Sequence, residues 1–289
     1  MRNNFCELCQ TNLFRLQFSS GCAMLSKKEE NEMAFLQVEF FSQALEVASA
    51  VNVLLPEGDM GIGVKAGGCT RLPKVLYLLH GYSDDHTIWM RRTSVERYAA
   101  AYPLAVIMPA VNHSFYCNEP MGERYWDYIS EELPQVMHSF FRLSDRPEDT
   151  FAAGLSMGGY GALKLGLSHP ERFAAVGSFS GAVRAAQSRP GDEKSRLKKE
   201  RAFGKDPVDP GLDLFHLLKV HGNDEKKPRL YVSCGTEDTL FAAHQAFVPA
   251  AEQAGWDLTH REAEGFSHEW AFWDEEIRRF IPWMLKKEN

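Results

Sequence analysis

Short, uninterrupted apolar runs separated by helical patterns are the feature of this sequence that most restricts its fold. Four such runs lie at 74–79, 104–108, 150–153 and 229–234. Strands of this kind are typical of parallel sheets that are covered on both faces. Because amphipathic helical patterns lie between the runs, the sequence predicts an α/β fold with a mostly parallel central sheet and helices on both sides.

Further strands and helices complete this alternation. Residues 35–55 are rich in Phe and Val and predict strands, which the turn Pro56-Glu57-Gly58-Asp59 ends. Two more strands are predicted at 173–179 and 258–262. Pro134 predicts a kink or a late start in its helix, because proline has no N–H to donate. The predicted helices lie at 88–101, 125–141, 158–167, 242–254 and 269–285.

The chain length of 289 residues suits one large domain, which would bury about 75% of its unfolded surface. We expect that domain over residues 33–289. Charges crowd between 184 and 228, with short helices expected around Phe215, and a long insertion of this kind is typically a lid or a binding loop. We interpret 184–228 as a small cap-like insertion. Residues 1–32 are interpreted as a leader, either poorly ordered or upstream of a true start at Met33.

Charge and hydropathy exclude several classes of partner. The net charge is −7, so no basic footprint favours nucleic acid as a partner. No apolar run approaches the roughly 20 residues that cross a bilayer, so we expect no membrane partner.

A homodimer is the assembly that base rates favour.

The six cysteines do not form the dense framework of a disulfide-stabilised secreted protein. Cys69, Cys117 and Cys234 stand alone, which indicates reduced thiols and a cytoplasmic location. Cys6-Glu7-Leu8-Cys9 has the spacing of a metal or redox pair. A tetrahedral zinc site needs four ligands, however, and only Cys22 lies nearby, so we predict no metal site.

The pentapeptide Gly154-Leu155-Ser156-Met157-Gly158 matches the G-x-S-x-G nucleophile elbow. A predicted strand precedes it and a predicted helix follows it, as that motif requires. The sharp turn lifts the serine oxygen clear of the sheet, and the positive end of the helix faces a developing oxyanion. We predict Ser156 as a nucleophile; the alternative is a glycine-rich turn in which Ser156 only caps the helix.

A serine hydroxyl needs a base, and His268 is the best placed of the ten histidines. It follows a predicted strand and precedes the last helix, and the chain order in this type of site is serine, acid, histidine. The acid is expected on the loop after the strand at 229–234, where Glu237 and Asp238 both qualify. Either carboxylate has an alternative role as a helix N-cap.

Two backbone amides are candidates for an oxyanion hole. One belongs to Met157, the residue after the nucleophile, and the other lies on the loop after the first buried strand, in Leu79-His80-Gly81-Tyr82. We assign the second donor to the amide of Tyr82, with Gly81 allowing the backbone to approach closely. Without the serine motif, the same loop would indicate only a tight turn.

Four motifs together resemble the esterase D-like putative esterase family, which includes S-formylglutathione hydrolases and tributyrin or acetyl esterases. The likeness runs from about Met33 to the C-terminus and is strongest to the tributyrin and acetyl esterase branch. The motifs are His80-Gly81-Tyr82-Ser83-Asp84-Asp85, Gly154-Leu155-Ser156-Met157-Gly158-Gly159-Tyr160-Gly161, Gly235-Thr236-Glu237-Asp238 and Gly265-Phe266-Ser267-His268-Glu269-Trp270.

The resemblance implies an α/β-hydrolase fold and a cofactor-free enzyme that cleaves small-molecule esters with short acyl chains. It assigns the nucleophile to Ser156, the acid to Asp238 and the base to His268. Trp126 matches a recurrent family stretch and is a candidate for the substrate pocket, as is His80; the alternative for Trp126 is an ordinary core aromatic.

Three alternatives to an ester hydrolase stay open at this point. An acyltransferase would use the same residues, and a non-catalytic binding protein would keep the same fold. The third is an S-formylglutathione hydrolase, but that branch usually has a cysteine in the loop after the oxyanion strand, where this chain has Tyr82-Ser83-Asp84.

Overall fold

The computed structural model describes residues 32–57 and 72–286. Its strands form one eight-stranded sheet in the order β1-β2-β4-β3-β5-β6-β7-β8. The pairs β1–β2 and β2–β4 are antiparallel, and every other neighbouring pair is parallel. The strands are β1 (Met33–Ser42), β2 (Val47–Pro56), β3 (Lys74–Leu79), β4 (Leu104–Pro109), β5 (Thr150–Leu155), β6 (Ala175–Phe179), β7 (Arg229–Gly235) and β8 (Leu258–Ala263).

The predicted mostly parallel sheet is therefore confirmed. The four apolar runs form β3, β4, β5 and β7, whose residues are buried almost throughout. Such strands pack on both faces, so they show no alternation of polar and apolar residues. The predictions for residues 1–31 and for Cys69 lie outside the described residues.

Helices cover both faces of this sheet. The α-helices are α1 (Ile88–Arg92), α2 (Val95–Ala99), α3 (Tyr125–Asp127), α4 (Leu133–Phe140), α5 (Met157–Ser168), α6 (Glu193–Phe203), α7 (Leu214–Val220), α8 (Phe241–Gln253) and α9 (Trp270–Met284). On one face, Val75 and Tyr77 of β3 belong to a core shared with α4, α5, α7 and α8. On the other face, Leu76 and Leu78 belong to a core shared with α1, α2 and α9. Successive residues of one strand thus enter different cores.

The helix predicted at 88–101 is two helices, and its break has a tertiary cause. The side chain of Asp274 on α9 accepts the amide of Ser94 at 2.9 Å and the hydroxyl of Tyr98 at 2.9 Å. Thr93 donates its hydroxyl to the carbonyl of Trp89. The bond to Asp274 gives the Ser94 amide a partner, which the interruption between α1 and α2 would otherwise leave without one in the helix.

The α-helix around Pro134 has the late start that the proline predicted, since α4 begins at Leu133. The segment passes from α3 through a π turn (Tyr128–Glu132) into α4, and Pro134 lies in the first turn of α4. Proline offers no N–H to the carbonyl of Ser130, four residues earlier. The guanidinium of Arg172 donates to that carbonyl at 2.6 Å and takes the place of the missing bond.

The segment 184–228 lies between β6 and β7 and contains α6 and α7. The helix expected near Phe215 is α7, whereas α6 lies in the charge-rich stretch, where no helix had been specified. Within the two described ranges, 32–57 and 72–286, no helix has the length and apolar character of a membrane span.

Candidate active site

Ser156 occupies the turn between β5 and α5 in a strained conformation. Its φ is +51° and its ψ is −113°, a region that costs a residue with a side chain about 1–3 kcal/mol. Three hydrogen bonds hold this geometry. The amide of Ser156 donates to Phe179 at 2.9 Å, and its carbonyl accepts the amides of Ala182 at 3.0 Å and Tyr160 at 3.1 Å.

Glycines make this turn possible because backbones meet around it. A Cβ on Gly158 would lie 2.7 Å from the carbonyl oxygen of His80 and closer still to that of Leu79. A Cβ on Gly154 would lie 2.5 Å from the carbonyl carbon of Gly158. The two glycines of the pentapeptide therefore allow β3, β5 and α5 to approach at the position of the serine.

Asp238 and His268 form a hydrogen-bonded pair at the carboxyl ends of β7 and β8. The His268 Nδ1 lies 2.8 Å from the Asp238 Oδ2, and because a carboxylate only accepts, the proton resides on Nδ1. The Asp238 side chain is fully buried, and that of His268 is 34% exposed. Of the two acids that the sequence left open, Glu237 is exposed and Asp238 contacts the histidine.

The environment keeps Asp238 ionised. Burial raises the pKa of this carboxyl, but hydrogen bonds from His268, from the Leu240 amide and from Ser180 outweigh it, so the net pKa is lowered. The Leu240 amide donates to Oδ1 at 2.8 Å. An anionic Asp238 fixes the histidine tautomer, which leaves Nε2 without a proton and able to accept one.

Ser180 is a contributor to the site that sequence reasoning missed. It follows β6 with φ +47°, and its hydroxyl oxygen accepts the indole N–H of Trp273 at 3.2 Å. The Trp273 ring packs edge-on against the His268 ring, with centroids 4.8 Å apart. Ser180 thus links the carboxylate of Asp238 to the tryptophan that supports His268. The sequence feature that could have identified Ser180 is its position directly after a buried strand, which it shares with Ser156.

The amide of Met157 opens α5, and the first amides of a helix have no partner within it. Residues 80–84, which we name the oxyanion loop for their predicted role, carry the second candidate donor, Tyr82. The Gly81 carbonyl, in the same peptide unit as the Tyr82 amide, accepts from His80 Nδ1 at 2.7 Å and from the Asp84 amide at 3.2 Å. Because the peptide unit is planar and trans, fixing this carbonyl also fixes the direction of the Tyr82 N–H.

His80 is buried at the start of this loop, and its assignment to the substrate pocket stays a prediction. It is 1% exposed, and its Nε2 accepts the amide of Val111 at 3.0 Å. Burial lowers the pKa of His80 to about 4. The ring is therefore neutral near pH 7, with its proton on Nδ1.

Trp126 packs beside the far end of α5. Its ring stacks on His169 at 5.7 Å, and the Lys164 Nζ lies 3.8 Å from its centroid. Lys164 is eight residues beyond Ser156, about 12 Å along a helix. These contacts give no support to Trp126 as a pocket wall and fit the alternative, a packing aromatic.

Neither free thiol in the described residues lies on an exposed surface: Cys117 and Cys234 are both buried. In the same part of the chain, no three His, Cys, Asp or Glu side chains group as metal ligands would.

Comparisons with known proteins identify the family of this chain. The family described as putative esterase matches residues 42–284. An acetyl esterase from Caldicellulosiruptor saccharolyticus is 28% identical over 264 residues, which cover 88% of this chain and 99% of the relative.

Solved structures from Staphylococcus aureus are also similar. A fluorophosphonate-binding serine hydrolase is 32% identical with a TM-score of 0.76, and an S-formylglutathione hydrolase is 34% identical with a TM-score of 0.75. Each match covers 88% of this chain and 99% of the other. These likenesses confirm the predicted α/β-hydrolase architecture.

Proposed function

The chain belongs to the putative esterase family and is a carboxylic ester hydrolase, and we propose that it cleaves short, acetyl-type acyl esters with a Ser156-His268-Asp238 triad. The observation that carries this proposal is the 2.8 Å hydrogen bond between His268 and a buried, ionised Asp238. A strained serine at the start of α5 and an oxyanion loop beside it supply the other parts that acyl transfer requires.

The proposed reaction has two halves. Ser156 Oγ attacks the ester carbonyl while His268 Nε2 takes its proton, and the amides of Met157 and Tyr82 stabilise the tetrahedral oxyanion. The histidine then protonates the departing alcohol, which leaves an acyl-enzyme. Water, deprotonated by the same histidine, attacks the acyl group; the histidine returns that proton to Ser156 Oγ as the bond to the serine breaks and the acid leaves. Asp238 keeps the imidazole oriented and stabilises its charged form in both halves.

The short-acyl preference is supported by the acetyl esterase that matches almost its whole length to this chain. Its test is a series of p-nitrophenyl esters from acetate to octanoate. We expect kcat/KM to be highest for acetate and to fall with chain length; a maximum at octanoate would contradict the preference.

A thioester substrate is the second candidate, favoured by the 34% identity to an S-formylglutathione hydrolase. The departure at Tyr82-Ser83-Asp84 makes us prefer an oxygen ester. A comparison of kcat/KM for S-formylglutathione and p-nitrophenyl acetate separates the two, and a much higher value for the thioester would reverse the preference. An acyltransferase is separated by product analysis with an added alcohol, which would become acylated.

The direct test of the nucleophile is Ser156→Ala, with Ser139→Ala as the matched control because Ser139 lies exposed on α4. We expect kcat for p-nitrophenyl acetate to fall by roughly 10³-fold to 10⁶-fold in the first variant and to stay unchanged in the second. A fluorophosphonate probe should label wild type and Ser139→Ala only. If Ser156→Ala kept activity within tenfold of wild type, the triad would be wrong; an unlabelled wild type would favour a binding protein.

Three further proposals complete this function. The segment 184–228 acts as a cap within one domain spanning 33–289. The buried thiols of Cys117 and Cys234 support a cytoplasmic location. A homodimer is to be tested by light scattering on the purified chain.

A further inference from the structure

We propose that the ion pair between Arg201 on α6 and Glu119 positions the oxyanion loop. Helix α6 of the 184–228 segment thereby contributes to the rate of the chemical step. This inference rests on the proposed function, because it assumes that the Tyr82 amide binds the oxyanion. Arg201 and Glu119 are positioning residues under this proposal and touch no reacting atom.

The ion pair is asymmetric in its surroundings. The Arg201 Nε lies 3.1 Å from Glu119 Oε1 and 3.0 Å from Oε2. The Glu119 side chain is 5% exposed, whereas that of Arg201 is 60% exposed. Among the described residues, Arg201 is the one cation paired with this carboxylate. Removing Arg201 would leave a buried charge without its partner, and the segment around Glu119 would have to move toward water.

Aromatic contacts lead from α6 to the oxyanion loop. Phe203, at the end of α6, packs on Phe115 with ring centroids 5.0 Å apart. Phe115 packs in turn on the ring of Tyr82 at 5.7 Å. The Lys198 Nζ, one turn earlier on α6, lies 5.5 Å from the centroid of the Tyr82 ring. The side chain of the proposed oxyanion donor is thus in contact with α6 both directly and through one phenylalanine.

The loop of residues 112–116, which carries Phe115, needs such support because its backbone is strained. Asn112, Phe115 and Tyr116 have φ values of +49°, +52° and +56°. Residues with side chains keep this conformation only where surrounding contacts impose it. The Tyr116 hydroxyl donates to the His80 carbonyl at 2.9 Å, which joins this loop to the start of the oxyanion loop.

In the described part of the chain, two further ion pairs of α6 do not reach the oxyanion loop. Arg196 pairs with Glu200 on the same helix at 2.7 Å, and Lys199 pairs with Asp206 just beyond it at 2.6 Å. Arg196 therefore offers a matched control, since Arg196→Met makes the same chemical change on the same helix as Arg201→Met.

The experiment compares these two variants in the full-length chain with p-nitrophenyl acetate. We expect Arg201→Met to lower kcat about tenfold, with KM within threefold of wild type and a melting temperature within a few degrees of that of Arg196→Met. A sub-ångström to 1 Å displacement of a catalytic group is enough for a loss of this order. Arg196→Met should keep wild-type kcat. Arg201→Lys, which restores the charge without the planar fork, should recover part of the loss.

Arg201→Met leaves the Glu119 carboxylate buried and unpaired, which could itself misfold the chain. The variant Glu119→Gln removes the ion pair without leaving such a charge, so it controls for this effect. It keeps the size and one acceptor oxygen but removes the charge, and we expect a smaller kcat loss than for Arg201→Met.

The inference is overturned if both Arg201→Met and Glu119→Gln match the kcat of Arg196→Met, or if only KM changes. It is also overturned if the kcat of Arg201→Lys is no higher than that of Arg201→Met. Fluorophosphonate labelling separates this failure from failure of the proposed function: in the first case wild type is labelled at Ser156, and in the second it is not.

Discussion

At the scale of single residues, His80 shows how a side chain with no part in the proposed proton transfers can orient the proposed oxyanion donor. Its two ring nitrogens make different bonds, Nε2 accepting from Val111 and Nδ1 donating to Gly81. The first bond fixes the tautomer, and the second fixes the peptide unit that carries the Tyr82 amide. Through these two bonds, the contact of His80 with the Val111 backbone helps to set the direction of the Tyr82 N–H.

Replacing His80 should lower kcat by an amount that depends on which of its two hydrogen bonds, that of Nδ1 or that of Nε2, is lost. His80→Phe removes both bonds, and we expect kcat for p-nitrophenyl acetate to fall about 10²-fold through misplacement of the Tyr82 amide. In His80→Asn the side-chain amide nitrogen can take the position of Nδ1 and donate to Gly81, so a smaller loss is expected. Equal kcat values for the two variants, measured on protein of verified fold, would contradict this role.

The residues that could be predicted are those that chain order identifies. Ser156 has a five-residue motif, and His268 has its position between a late strand and the last helix. The role of Ser180 could not be predicted, because its partner Trp273 lies 93 residues away in sequence. The contacts of His80 could not be predicted either, because a position on a loop does not reveal the direction of a side chain.

At the scale of secondary-structure elements, the junction of β3, β5 and α5 depends on the small size of Gly158. Backbone carbonyls of Leu79 and His80 occupy the space a Cβ would need, and backbone cannot move aside as a flexible side chain can. The first turn of α5 is thus packed directly against the end of β3.

Gly158→Ala should therefore destabilise the fold, with Gly191→Ala as a control because nothing lies within 4 Å of a Cβ there. We expect the free energy of unfolding to fall by about 1–3 kcal/mol or more for Gly158→Ala. Gly191→Ala should stay within about 0.5 kcal/mol of wild type. Urea denaturation followed by fluorescence measures both, and similar midpoints for the two variants would refute the steric argument.

Most elements could be predicted from local patterns, and the exceptions have tertiary causes. The break between α1 and α2 depends on Asp274, about 180 residues further along the chain. The π turn before Pro134 was not predicted, and the donor that the proline cannot supply to the Ser130 carbonyl comes from Arg172, 42 residues further along the chain. α6 is rich in charge, and periodicity gave no apolar face to identify it. Its buried residues are few, Lys199, Ala202 and Phe203 among them.

At the scale of the whole molecule, buried neutral histidines make stability depend on pH. Burial lowers the pKa of both His80 and His244 to about 4. In the unfolded chain a histidine has a pKa near 6.5, so between about pH 4 and pH 6.5 the unfolded state binds more protons than the folded state. Their contribution to stability is fully present above about pH 6.5 and is lost progressively as the pH falls.

His244→Phe isolates one of these contributions, because His244 stacks on Phe241 and its Nε2 has no partner among the described residues. Between pH 7 and pH 5 we expect wild type to lose about 2 kcal/mol more unfolding free energy than the variant. Urea unfolding at the two pH values measures this difference. Parallel pH dependences would show that His244 is already solvated or charged in the folded state.

The order of strands in the sheet has a consequence for engineering. Tyr82, Ser156, Asp238 and His268 follow β3, β5, β7 and β8, all at the carboxyl edge of parallel strands whose spacing is about 4.8 Å. The spacing of the proposed catalytic groups therefore follows from the backbone spacing, while the 184–228 segment connects the end of β6 to the start of β7, its hydrogen-bonded neighbour. If the proposed function holds, grafting a loop into this segment changes which esters are admitted without moving the catalytic groups, provided that the graft brings a cation to face Glu119.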